Sequence, residues 1–176
     1  MRLRTAAIVA ALLILAIGWY LGSPLLIRTT ANEPMPTAAA SASALPVSSA
    51  GGTIAPTTAP SATAIVSVLR RGELQYVDAL HHGQGTVLVL AVDAKEFVRF
   101  EDVAITNAPD VHVYLTKDRG GRWSDATSTY LGPLKATNGS FNYELPPSID
   151  LAAYGSVVVW CRLFSVLVTW ADLGPA

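Results

Sequence analysis

Residues 85–106 read GTVLVLAVDAKEFVRFEDVAIT, and this stretch decides the fold. It contains two runs, 85–93 and 96–106, that are rich in Val, Leu, Phe and Ile, and their lengths suit strands better than helices. Turn residues occupy positions 93–95 between the two runs. The stretch therefore predicts two neighbouring antiparallel strands joined by a tight turn.

The same pattern continues on both sides of this hairpin. Short runs of β-branched and aromatic residues occur at 73–80, 110–116, 129–135, 140–146, 156–164 and 165–173. Because turn residues separate these runs, the region predicts an all-β fold, a single β-sandwich of about eight mainly antiparallel strands. Two segments interrupt the strands: residues 116–128 predict a mobile loop with an exposed Trp123, and residues 150–154 predict one helical turn.

The N-terminus is much more apolar than the rest of the chain. Arg2 and Arg4 precede an uncharged segment that runs from Thr5 to Gly22. A segment of about 20 apolar residues is long enough to cross a bilayer, whereas a cleaved signal peptide usually has a shorter apolar region. Residues 1–28 therefore predict a transmembrane signal-anchor preceding the β-sandwich. The two arginines predict a cytoplasmic N-terminus and an extracytoplasmic C-terminal domain in a single-pass membrane protein.

Residues 29–63 consist mostly of Ala, Ser, Thr, Pro and Gly, with Glu33 as the only charged residue. Such a composition offers too little large apolar surface to offset the entropy of ordering, so it predicts a disordered linker. Residues 64–176 then form the folded domain, which is long enough for one core.

Charge and motif content exclude several functions. The chain has 12 Lys and Arg against 13 Asp and Glu, and its charges are scattered, so it lacks the basic stripe of a nucleic-acid-binding protein. A single cysteine excludes an internal disulfide framework. No G-x-S-x-G motif and no glycine-rich phosphate loop occur, so neither hydrolase nor nucleotide chemistry is indicated.

A resemblance to a known family rests on His81 and on the segments NAPDVHVYL (107–115), YLGPLKATNGSFNYELP (130–146), DLAAYGSVVVWCRLFSV (150–166) and ADL (171–173). With these motifs, the region from about Gly72 to Leu173 resembles the DM-thirteen domain, a family described as an electron-transfer module. Bacterial members often have an anchor, a linker and one such domain. The resemblance implies a β-rich fold, a redox partner protein, and a redox role for the cysteine, either as a free thiol or as a ligand of a prosthetic group such as haem.

Cys161 is the candidate redox thiol or ligand. Strand alternation places it with Val157 and Val159 on an aliphatic face, whereas Trp160 and Arg162 point to the opposite face. Two interpretations remain open: a redox group, or a small buried hydrophobic residue of purely structural importance. Because Arg162 points away, any side chain that stabilises a thiolate has to come from another strand.

The three histidines are the natural partners of such a thiol, since thiolate and imidazole together suit haem iron, copper or zinc. His81 matches a family position and is, with Cys161, the candidate cofactor ligand; His82 is its neighbour. His112 shares a strand face with Asp110 and Tyr114. No C-x-x-C or H-x-x-x-H spacing occurs, so the sequence leaves open haem, copper or no cofactor, and it names no metal.

Two functions of different classes follow from these observations. The first is a membrane-tethered extracytoplasmic redox, electron-transfer or cofactor-binding module centred on Cys161. The second is a non-enzymatic binding or adhesion module in which Cys161 is buried for structural reasons.

Overall fold

The computed structural model describes residues 8–15, 17–19, 28–37, 66–147 and 149–176. Within these residues the chain forms ten strands: β1 Thr30–Asn32, β2 Val66–Glu73, β3 Gly83–Val92, β4 Lys95–Ile105, β5 Val111–Thr116, β6 Ser128–Pro133, β7 Asn138–Glu144, β8 Ser156–Cys161, β9 Val166–Asp172 and β10 Gly174–Pro175. Short 3-10 helices cover Asp125–Thr127 and Leu151–Ala153, and the second of these confirms the predicted helical turn.

The strands form two sheets. The six-stranded sheet has the order β1-β7-β4-β3-β2-β10, and the four-stranded sheet has the order β6-β5-β8-β9. Neighbouring strands are antiparallel except β1 and β7, which are parallel. The predicted hairpin is confirmed as β3 and β4, in which Val92 pairs with Lys95. Asp93 in the turn has a φ of 53°, a left-handed conformation that aspartate tolerates better than most residues.

Both sheets contribute to one hydrophobic core. Phe100 and Phe141 of the six-stranded sheet stack with their ring centroids 5.1 Å apart. Fully buried aliphatic side chains fill the space between the sheets: Val87, Val89, Val98, Val113, Leu115, Val157, Val159 and Val168. Burying one such side chain stabilises the fold by about 1.5 to 3 kcal/mol, so this core is the main source of stability. The mostly β, mainly antiparallel fold is thus confirmed.

The run at 73–80 does not form the predicted strand, because the eight residues that end at Glu73 pair as β2 instead. The chain then turns at Asp78, whose carboxylate accepts hydrogen bonds from the backbone N–H groups of Leu80 and His81 at 2.7 and 2.8 Å. The sequence did not predict β2, because the charged Arg70 interrupts the apolar residues of this segment. The guanidinium of Arg70 donates to backbone carbonyls beside the four-stranded sheet, which explains a charged residue inside this strand.

The predicted strand at 156–164 ends early, at Cys161. Cys161 pairs with Val166 of β9, so the residues between them form a turn. Leu163 and Phe164 are therefore exposed, and the predicted alternation does not continue past Cys161.

The predicted single-pass location in a membrane, with residues 1–28 as its anchor, is wrong. Among the described residues near the N-terminus, 8–15 and 17–19 are helical. Across the part of the chain that the structure describes, no helix is both long enough and apolar enough for that role. Residues 1–7, 16 and 20–27 lie outside the described residues.

The start of the predicted linker also differs from expectation. β1 pairs with β7, and Glu33, which follows it, accepts hydrogen bonds from the Lys135 ammonium at 2.8 Å and the Asn142 backbone N–H at 2.9 Å. These contacts order the segment although its composition is polar. Residues 38–63 of the predicted linker lie outside the described residues.

Candidate functional site

Cys161 is fully buried at the end of β8 and faces the core, as strand alternation predicts. Its thiol donates a hydrogen bond to the backbone carbonyl of Pro109, with 2.9 Å between sulfur and oxygen. Val111 and Val166 lie opposite it on the two neighbouring strands. The sulfur is therefore shielded from solvent and held by a neutral backbone acceptor.

His81 and His82 lie between β2 and β3. Nδ1 of His81 is 2.9 and 3.0 Å from the two carboxylate oxygens of Asp78, and this hydrogen bond lowers the pKa of Asp78. The ring of His82 lies 3.2 Å from the hydroxyl of Thr106 and stacks on Tyr76. Both imidazoles thus have polar partners of their own.

The loop 106–110 links these histidines to Cys161. The backbone N–H of Thr106 donates to the carbonyl of His82 at 2.9 Å, and Pro109 in the same loop accepts the thiol hydrogen bond. His82 and Cys161 therefore lie at the same end of the two sheets. The side chain of His81, the predicted second ligand, contacts Asp78 instead.

These side chains do not fit the haem or copper ion that the sequence left open. The sulfur of Cys161 is enclosed by the aliphatic core, and its hydrogen-bond partner is a backbone carbonyl rather than an imidazole. Within the described ranges, no three His, Cys, Asp or Glu side chains are grouped so that they could hold a metal ion. We therefore assign no step to either group.

A cluster of four aromatic side chains covers the opposite face of the four-stranded sheet. Trp123 stacks on Trp160 with ring centroids 4.8 Å apart and contacts Tyr114 edge-on at 5.1 Å. Tyr114 in turn contacts Tyr130 at 5.4 Å. We refer to Tyr114, Trp123, Tyr130 and Trp160 as the aromatic cluster. It forms an unbroken series of ring contacts from the edge strand β6 across β5 to the inner strand β8.

Strand register places three members of the cluster together. β5 is central, and its residue Tyr114 pairs with Tyr130 of β6. On the other side of β5, His112 pairs with Trp160 of β8. Because side chains alternate along a strand, these four side chains share the outer face, whereas Cys161 next to Trp160 faces the core.

The fourth member, Trp123, arrives with a loop between β5 and β6. This side chain is half-buried, so the predicted exposure of Trp123 is wrong. Gly121 allows the loop to approach the sheet: its φ is 73°, and a Cβ there would lie 2.6 Å from Leu167 and 3.1 Å from Trp170. The loop thus covers the outer face with an aromatic ring rather than leaving it to solvent.

Arg162 places a positive charge beside two tyrosines of the aromatic cluster. Its Nε donates to the hydroxyl of Tyr114 at 2.6 Å, and this hydrogen bond raises the pKa of Arg162 above its ordinary value. The guanidinium carbon also lies 4.5 Å from the ring centroid of Tyr130. Together with Asp125, Ser165 and three cluster residues, Arg162 lines an open cavity of about 470 Å³.

His112 connects the cluster to a carboxylate. Its Nδ1 lies 2.9 Å from the hydroxyl of Tyr130, and its Nε2 lies 2.7 Å from a carboxylate oxygen of Asp110. Since a carboxylate only accepts, Nε2 carries a proton, and when the ring is neutral Nδ1 accepts from Tyr130. His112 is 9% exposed, so the central ring of this series is largely shielded from water, whereas Tyr130 and Asp110 on either side of it are exposed.

Sequence reasoning missed this site, although part of its signal was present. Alternation had already placed Asp110, His112 and Tyr114 on one face of a strand, and Trp160 opposite to Cys161. The missing fact was that these two strands are neighbours, which no local pattern states. The position of Trp123 had no sequence signal beyond the adjacent glycines.

A family model described as Electron transfer DM13 matches residues 75–173, which is more than half of the chain. No curated protein and no solved structure matches this chain.

Proposed function

Because this chain belongs to the Electron transfer DM13 family, we propose that its β domain is a redox module that exchanges single electrons with a partner protein through the aromatic cluster. The observation that carries this proposal is the unbroken series of ring contacts from Trp160 through Trp123 and Tyr114 to Tyr130. Trp and Tyr are the side chains that lose a single electron most readily, apart from cysteine.

The cluster is placed where a partner can reach it. Tyr130 is 45% exposed, and Trp123 and Trp160 are half-buried, whereas Tyr114 between them is buried. An electron can therefore enter at one exposed ring, cross the buried ring and leave at another. The neighbouring cavity gives the partner a recessed surface with one cation, Arg162.

Cys161 stays a prediction as the redox group of this module. In its favour, it directly follows Trp160 and lies beneath the same sheet. Its full burial means that a partner protein cannot touch the thiol in the described conformation, so direct thiol–disulfide exchange would first require local opening. The proposed role of His81 as its second ligand would use Nε2, because Asp78 holds Nδ1.

Flash oxidation tests the proposal. The full chain is oxidised by photogenerated tris(bipyridyl)ruthenium(III), and the absorption of tyrosyl and tryptophanyl radicals is followed in the wild type and in a Trp123→Leu, Tyr130→Phe double variant. The matched control is Tyr76→Leu, which removes an exposed aromatic ring outside the cluster. We expect the double variant to lose most of the radical yield and the control to keep it. Equal yields in all three proteins would refute electron exchange through the cluster.

A second candidate function is binding of a ligand in the cavity beside the cluster, with Cys161 as a structural residue. The aromatic walls of this cavity, together with Arg162 and Asp125, favour it, because ligand sites combine apolar surface with a few polar groups. A double variant that matches the wild type in radical yield would favour this function over electron transfer.

A further inference from the structure

We propose that oxidation of the cluster produces its stable radical on Tyr130. His112, oriented by Asp110, takes the phenol proton as Tyr130 loses its electron. This inference rests on the proposed electron transfer and names its terminal site. It makes Tyr130 a redox-active residue and His112 its proton acceptor.

The geometry around His112 suits proton transfer. The hydroxyl of Tyr130 is already hydrogen-bonded to Nδ1 at 2.9 Å, so the proton crosses a preformed contact. Asp110 holds Nε2 at 2.7 Å, which fixes the ring with its free lone pair toward Tyr130 and stabilises the imidazolium that results. The ring of His112 is nearly buried, whereas Tyr130 is 45% exposed, so the acceptor is enclosed while the phenol ring stays within reach of an external oxidant.

Trp123 and Tyr114 lack such an acceptor. The indole Nε1 of Trp123 is buried and has no hydrogen-bond partner among the described residues. Tyr114 has its hydroxyl against Arg162, which only donates hydrogen bonds and cannot take a proton. Neither ring can therefore lose its proton easily when oxidised, and both can only relay the oxidation to Tyr130.

Arg162 strengthens this selection. Its guanidinium carbon lies 4.5 Å from the ring centroid of Tyr130, so a positive charge on that ring would be repelled at close range. If the phenol proton moves to His112 as the electron leaves, the ring stays neutral and the repulsion is largely avoided. The position of Arg162 beside the Tyr130 ring thus favours loss of the phenol proton together with the electron.

Tyr130 gives one electron, by way of the cluster, to a one-electron oxidant in contact with the exposed rings. The O–H bond of Tyr130 breaks, and an N–H bond forms at Nδ1 of His112. The products are a neutral tyrosyl radical and an imidazolium paired with Asp110. Return of one electron reverses each change.

The experiment uses the full chain and photogenerated tris(bipyridyl)ruthenium(III) as the oxidant. The radical is trapped by freezing and identified by electron paramagnetic resonance, and its rate of formation is measured in light and heavy water. We expect a tyrosyl signal in the wild type, a slower rate in heavy water, and a tryptophanyl signal in Tyr130→Phe. Tyr130 is partly exposed, so this variant keeps the fold.

His112→Asn separates proton transfer from structure, because an amide oxygen can accept the Tyr130 hydrogen bond but is not a base. We expect tyrosyl formation to slow by about a hundredfold, the lower range for loss of a positioned proton acceptor. If His112→Asn does not fold, the isotope effect in the wild type decides alone. A cluster radical that stays on tryptophan, or shows no isotope effect, overturns this inference but leaves the electron-transfer proposal standing. Absence of any cluster radical overturns both.

Discussion

Trp123 and Trp160 stack with an interplanar angle of 20°, although one lies in the loop before β6 and the other in the middle of the four-stranded sheet. This contact joins the loop to the sheet and closes the series of rings. It is also a spectroscopic marker, because two stacked indoles couple their electronic transitions.

Replacement of Trp123 by Leu removes this contact. We expect the free energy of unfolding to fall by about 1 to 3 kcal/mol, since a half-buried ring and its aromatic pair are lost. The paired bands of the coupled indoles in circular dichroism should disappear as well. Trp170→Phe serves as the control, because Trp170 is not in the cluster and its replacement should leave these bands in place. Persistence of the bands in Trp123→Leu would show that the stack does not exist in solution.

The loop that carries Trp123 offers a matched pair of glycines. Gly120 and Gly121 have φ values of 67° and 73°, so alanine at either position costs about 1 to 2 kcal/mol of left-handed strain. A Cβ on Gly120 meets nothing within 4 Å, whereas a Cβ on Gly121 lies 2.6 Å from Leu167 and 3.1 Å from Trp170.

Gly121→Ala should therefore destabilise the protein by about 1 kcal/mol more than Gly120→Ala, because only the first also overpacks the sheet face. Denaturant unfolding measures the difference, and tryptophan fluorescence reports whether Trp123 has moved. Equal losses in the two variants would contradict the described approach of the loop to the sheet.

Much of this fold could be predicted from local pattern. The hairpin of β3 and β4 followed from two apolar runs around a turn, and the inward position of Cys161 followed from alternation with Val157 and Val159. Such features depend on residues that are close in sequence, so composition and periodicity are sufficient to find them.

The candidate site depended on contacts between distant residues. The pairing of Tyr114 with Tyr130, and of His112 with Trp160, is set by the order of strands in the four-stranded sheet. That order follows from how both sheets close one core, which no single segment encodes. At 73–80 the local pattern predicted a strand that does not form. The position beside β3 in the sheet is occupied by β2 instead.

Docking of β1 should depend on pH through Glu33. Partial burial raises the pKa of this carboxyl. The hydrogen bonds from Lys135 and Asn142 and the charge of Lys135 together lower the pKa by more than burial raises it, so the net shift is downward. Because the folded-state pKa lies below the ordinary pKa of a glutamate, the ionised carboxylate stabilises the fold at pH values above that ordinary pKa. This contribution is lost as the pH falls through the lowered pKa.

Glu33→Gln should therefore lower the free energy of unfolding by about 0.5 to 1 kcal/mol near neutral pH, since the ion pair is partly exposed and screened by solvent. Wild type and variant should converge in acid. Glu144→Gln is the control, because it removes an exposed ion pair with Lys95 that does not hold β1. A difference between wild type and Glu33→Gln that persists at low pH would argue against the described role of Glu33.

Replacement of Cys161 tests its packing. The carbonyl of Pro109 accepts a hydrogen bond from the thiol and offers the same to a hydroxyl, so Cys161→Ser should avoid the full penalty of an unpaired buried polar group. We expect Cys161→Ser and Cys161→Ala each to lower the free energy of unfolding by about 1 to 2 kcal/mol.

Reaction of the thiol with an aromatic disulfide reagent adds an independent measurement. Because Cys161 is fully buried, its labelling should be slow in the native protein and fast in denaturant. Rapid labelling of the native protein at neutral pH would indicate an accessible, reactive thiol and would strengthen the prediction that Cys161 is the redox group.

Square-wave voltammetry of the full chain tests the central claim most directly, by comparing Tyr130→Phe with Cys161→Ala. If electrons pass through the aromatic cluster and rest on Tyr130, the wild type gives a one-electron wave that Cys161→Ala retains and Tyr130→Phe loses. A wave that survives in Tyr130→Phe and vanishes in a folded Cys161→Ala protein would contradict the account and assign the redox chemistry to Cys161.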